Sequence, residues 1–219
     1  MRLKKEITNI LSEKKYDELI KQSSNTRRVL TMLISMTYDK DSVISWRAME
    51  AIGLITGRIA GTDPDMVKST TGRLMWMIRD ESGGIGWSAP EILGEIVRNN
   101  PLLCADIATI IVSFHEEIML TAGVMRAAGR MGKTHTEMVD YAGPIIVSCL
   151  NNQDRSIRGY AAWAAGELGV ALAADRLESL RSDTDSILFY EKEELINKTV
   201  GELAGAALAK IEPGNLVKA

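Results

Sequence analysis

The chain has 219 residues, 46% hydrophobic and 25% charged, with a net charge of -3 at neutral pH. That balance excludes a wholly disordered chain, whose few apolar groups could not offset the entropy of ordering. It also argues against a dedicated nucleic-acid binder, because phosphate contacts call for a clear basic surplus.

The first stretch is basic: residues 1–28 hold eight Lys or Arg against four Asp or Glu. It contains no apolar run of the kind found in a secretory signal. No run anywhere approaches the ~20 apolar residues of a membrane-spanning helix. These features predict a cytoplasmic protein with no membrane partner. Residues 3–23 read as a charged helical cap, and 27–38 as the second helix of an incomplete first helix pair.

From there a pattern recurs around four glycines and one alanine: Gly53, Gly94, Gly129, Gly166 and Ala209, spaced by 41, 35, 37 and 43 residues. Nine positions before each anchor stand Ile44, Ile85, Leu120, Ile157 and Val200. Five before stand Ala48, Ala89, Val124, Ala161 and Ala204, and two before stand Ala51, Ile92, Ala127, Ala164 and Ala207. Two after come Ile55, Ile96, Met131, Leu168 and Ile211. These offsets trace one helical face. A glycine costs roughly 1 kcal/mol of helix propensity relative to Ala. Its recurrence therefore predicts a position where a neighbouring helix approaches closely. Each anchor helix is followed by a predicted second helix, over 66–79, 102–115, 138–150 and 172–181. Asp41 and Asp154 precede their anchor helices where a capping carboxylate belongs. The acidic run 175–194, seven Asp or Glu against three Lys or Arg, reads as a solvated helix face.

The second repeat breaks the pattern. Asp80-Glu81-Ser82-Gly83-Gly84-Ile85-Gly86 is too glycine-rich to begin a helix, whereas Ser88-Ala89-Pro90-Glu91 has the form of a capping box with Pro in the first turn. Trp46 and Trp87 share one repeat position, seven before their anchors, and are expected on one side of the molecule as candidate binding aromatics. Trp76 and Trp163 are assigned to ordinary packing. The candidate partner-binding set is thus Trp46, Asp80, Glu81, Gly83, Gly84, Trp87 and Glu91. No catalytic constellation is evident. His115 and His135 lack metal-ligand spacing, and Cys104 and Cys149 read as buried free thiols, so neither metal nor cofactor is expected.

Residues 157–169, with Asp154 before them, resemble the HEAT-like repeat of the phycobilin-lyase type, and the resemblance extends over about 27–211. It implies an all-α, right-handed α-solenoid of about five helix pairs, armadillo-like, in one domain spanning 1–219. That domain has a cap (1–26), the repeats (27–211) and a tail (212–219). Such repeats serve scaffolds, lyase-type subunits, nucleic-acid binders and a few enzymes. HEAT-like deoxyhypusine hydroxylases hold iron with several His-Glu pairs, of which this chain has only His115-Glu116. The expected function is a non-catalytic protein-binding adaptor or scaffold whose partner is another protein or peptide. The alternatives are a DNA-binding or base-repair protein of the HEAT-like glycosylase type, and a lyase-like accessory subunit for cofactor attachment.

Overall fold

The computed structural model describes residues 2–21, 25–79 and 86–211. Helix dominates: twelve α-helices and one two-stranded sheet occur among the described residues. The chain divides into two compact units, Met1–Ala105 with Tyr190–Leu195, and Asp106–Phe189 with Ile196–Ala219.

The first unit contains α1 (Arg2–Ser12), α2 (Tyr16–Lys21), α3 (Thr26–Ile34), α4 (Val43–Ile59), α5 (Pro64–Arg79) and α6 (Ala89–Asn99). The two anchor helices, α4 and α6, pack against each other. A Cβ placed on Gly53 would lie 2.7 Å from the Glu95 carbonyl oxygen, so only glycine permits this approach. Ala48, Ala51, Ile55, Ala89, Ile92 and Ile96 are all buried, as the repeat offsets require. Each large aliphatic side chain so buried contributes roughly 1.5–3 kcal/mol relative to exposure.

The second unit contains α7 (Ala108–Ser113), α8 (Thr121–Met131), α9 (Val139–Cys149), α10 (Arg155–Leu168), α11 (Ala174–Leu180) and α12 (Val200–Ile211). Here α8 packs on α10 and α10 on α12. A Cβ on Gly166 would stand 2.7 Å from the Cα of Ala207, and one on Gly129 would strike the Trp163 ring. Val124, Ala127, Met131, Ala161, Ala164, Ala204 and Ala207 are buried in register. Ala209, the last anchor, is exposed; no further helix follows it among the described residues. Asp154 caps α10, its Oδ1 accepting from the amides of Ser156 and Ile157 at 2.7 and 3.3 Å. The expected role of Asp41 falls instead to Ser42, which occupies the N-cap of α4 without a side-chain capping bond.

Three expectations are modified. The predicted helix 102–115 is reduced to α7 between 3-10 turns at Ala105–Ile107 and Phe114–Glu116. The predicted helix 172–181 begins with a 3-10 turn, Ala171–Ala173, before α11.

The acidic run 175–194 is only in part a helix face. After α11 it enters strand β1 (Ser186–Glu191), which pairs with β2 (Glu194–Thr199) in a hairpin. Asp183 and Asp185 hold the Arg158 guanidinium at 3.0 and 2.7 Å. Inward-facing Ile187 and Phe189 are buried, and the Tyr160 hydroxyl donates to the Leu188 carbonyl at 3.0 Å. The turn residues Lys192 and Glu193 have φ of 50° and 63°, the left-handed pair that a two-residue hairpin turn demands.

No helix among the described residues is long and apolar enough to cross a membrane.

Candidate functional site

The turn before α4 gathers the sequence-predicted residues of the first unit. Trp46 lies in the first turn of α4, and its indole N–H donates to the Lys40 carbonyl at 2.8 Å. The Lys40 ammonium donates to the Glu91 Oε1 at 2.5 Å and to the Trp87 carbonyl at 2.9 Å. Lys40 thus ties Trp46, Trp87 and Glu91 together. The Ser88 hydroxyl donates to the Thr37 carbonyl at 2.7 Å and fixes the start of α6 against the same turn.

Burial sets the energetics. The Glu91 side chain is 4% exposed and that of Lys40 36%. A carboxylate so far from water is tolerated only with a charged or hydrogen-bonding partner, and Lys40 supplies it. The other oxygen, Oε2, is buried with no hydrogen-bond partner among the described residues. Of the pair, only the partly open Lys40 ammonium is within reach of an incoming group.

The far side of Trp46 is closed by the hairpin tip. Its ring stacks on Tyr190, centroids 5.8 Å apart and planes 15° apart. The Tyr190 hydroxyl donates to Glu50 Oε2 at 2.6 Å, and Glu50 lies one turn beyond Trp46 on α4. Burial, with the Glu50 charge beside it, pushes the Tyr190 phenol far above its ordinary range. Burial likewise raises Tyr16. Arg47 is buried and donates to the carbonyls of Leu11, Ser12 and Glu193 and to Glu194, and Lys14 pairs with Glu194 as well. These cations hold the acidic tip, whose positive-φ Lys192 and Glu193 would each cost on the order of 1–2 kcal/mol unaided.

Trp46 and Trp87 do meet at one turn, but not as a matched pair. Trp46 is buried, whereas Trp87 is 48% exposed and sits in the 3-10 turn Gly86–Ser88. Because α6 starts only at Ala89, the repeat position that is helical in α4 falls outside the helix in α6. The expected capping box does not form: Ser88 makes no side-chain capping bond and Glu91 turns to Lys40. Asp80, Glu81, Gly83 and Gly84 lie outside the described residues. Lys40, Glu50, Arg47 and Tyr190 were not singled out from sequence; only the polar turn Asp39-Lys40-Asp41-Ser42 hinted at the first of them. Trp76, assigned to packing, is 63% exposed on α5.

In the second unit, buried Arg126 lies against the rings of Trp163, Phe189 and Tyr160, at 4.6, 5.1 and 5.9 Å. This is a packed cation–π core in which the guanidinium fills the aromatic enclosure. His115 Nδ1 lies 3.1 Å from the Val112 carbonyl, and His135 Nδ1 lies 2.9 Å from Glu137. Among the described residues, no three His, Cys, Asp or Glu side chains gather in a way that could hold a metal ion. Cys104 and Cys149 are buried and form no disulfide among the described residues, and burial raises the Cys149 thiol.

No family model matches the chain. It is similar to an uncharacterized protein of Archaeoglobus fulgidus, 27% identical over 181 residues that span 78% of this chain and 91% of that one. No solved structure matches it.

Proposed function

We propose that the chain is a HEAT-like helical-repeat module, a right-handed solenoid of about five helix pairs that holds another protein and catalyses no reaction. One observation carries the reading. The same repeat position makes a close helix contact three times: Gly53 against Glu95, Gly129 against Trp163 and Gly166 against Ala207. Anchor helices joined in this way leave the second helices with one free face each, the kind of extended surface on which repeat proteins seat elongated partners. On α5 that face carries Trp76, a residue type enriched at interface hot spots.

The test is affinity capture with the tagged full chain from its native organism after nuclease treatment. The captured protein is then purified alone and titrated calorimetrically with the chain. The expected result is a defined complex of fixed stoichiometry. Recovery of nucleic acid without protein, with the chain shifting a short duplex in a gel at low salt, would replace this reading by the DNA-binding one.

A further inference from the structure

A groove of about 190 Å³ runs between α3 and α5, with Leu30, Ile34 and Met66 along it and Thr70 on its wall. Arg27 and Arg73 stand over it, and both are exposed. Elsewhere the guanidiniums of Arg47, Arg98, Arg158 and Arg181 have carboxylate partners. Arg27 and Arg73, like the exposed Arg28, Arg58, Arg79 and Arg155, have none among the described residues. The two helices together carry Arg27, Arg28, Lys68, Arg73 and Arg79 against the single acid Asp65, on a chain whose net charge is -3.

We infer that this groove is the docking site for an acidic segment of the partner protein, with one aliphatic side chain seated between two carboxylates. The inference rests on the protein-binding reading above. Size favours it: small-molecule sites enclose about 300–1,000 Å³, so this groove suits a side chain or two rather than a whole ligand. Chemistry favours it as well. Unpaired guanidiniums present forked donors that match carboxylates two bonds at a time, and the aliphatic floor takes the anchor. A nucleic-acid strand fits less well, because the floor offers it no aromatic ring to stack on and the acidic whole chain repels a long polyanion.

The full chain is titrated, by fluorescence anisotropy, against short fluorescein-labelled peptides with one leucine between two glutamates at varied spacing. A lysine-for-glutamate peptide and a labelled single-stranded oligonucleotide serve as controls. At least one acidic peptide is expected to bind, with the lysine version silent. The double variant Arg27→Glu/Arg73→Glu should weaken binding tenfold or more while its melting temperature stays near wild type. Met66→Gln should weaken it less. Three results overturn the inference: no acidic peptide binds, the double variant binds as well as wild type, or the oligonucleotide binds more tightly with the same dependence on Arg27 and Arg73. Light scattering that shows self-association lost in the double variant would instead assign the groove to a second copy. If the double variant still captures the native partner, the groove assignment fails while the protein-binding reading stands.

Discussion

The two units are built by different means. Among the described residues, nine of the twelve buried polar or charged ones (Thr37, Ser45, Arg47, Thr56, Thr71, Ser88, Glu91, Glu95 and Asn100) belong to the first, and Thr121, Arg126 and His135 to the second. The second unit instead closes on small residues: α10 buries Ala161, Ala162, Ala164 and Ala165 in succession and meets α12 at Gly166. Their surfaces differ too. The free faces of α3 and α5 are cationic, whereas α7, α9 and α11 carry Arg176 against Asp140, Asp175 and Glu178. Small-residue packing makes a stiff scaffold but presents little chemistry. Directional polar contacts hold a surface in a specific shape, which recognition requires.

That contrast can be broken by mutation. The largest effect is expected for Lys40→Ala, which strands the Glu91 carboxylate at 4% exposure and should cost about 3–5 kcal/mol in urea denaturation. Glu91→Gln should cost clearly less, because the Lys40 ammonium it abandons reaches water. Equal losses would show that the pair is not the anchor of the α4–α6 turn.

Next is Gly166→Leu, which drives a side chain into the Ala207 backbone and should cost about 3 kcal/mol by overpacking. A melting temperature near wild type would remove the close-contact basis of the repeat. Tyr190→Phe comes third, at roughly 1.5 kcal/mol for the lost bond to the Glu50 carboxylate. The sign of its pH dependence is set by the raised phenol pKa. The folded state holds that proton more tightly, so its contribution is complete below the ordinary phenol pKa of about 10 and declines as pH rises past it. Wild type should therefore lose more stability than Tyr190→Phe between about pH 9 and 11. The smallest effect is a gain: Gly205 lies on α12 with open space around it, so Gly205→Ala should stabilise by about 0.5–1 kcal/mol.

The helical framework was legible because burial of a helical face leaves a three-and-four periodicity in the sequence, and Ala48, Val124, Ala161 and Ala204 are fully buried where that periodicity placed them. The anchor glycines were legible for the same reason, since a costly residue recurs only where space demands it. The hairpin was missed. Ser-Ile-Leu-Phe-Tyr-Glu and Glu-Leu-Ile-Asn-Lys-Thr are β-prone runs separated by two residues, but those two are Lys192-Glu193 rather than the usual Asn-Gly or Asp-Gly. Their left-handed backbone is held by tertiary contacts to Arg47 and Lys14, which lie well over a hundred residues away in sequence. The Lys40–Glu91 pair was illegible on similar grounds: 51 residues separate its members, and local capping rules assigned Glu91 a nearer partner.

The most direct measurement is hydrogen exchange of the full chain, with and without the protein partner recovered by capture. Amides of α3 and α5 should slow in the complex, with the Arg27→Glu/Arg73→Glu variant losing that protection. Protection confined to α7, α9 and α11, or a chain that recovers no protein partner at all, would contradict a binding module that works through its first unit.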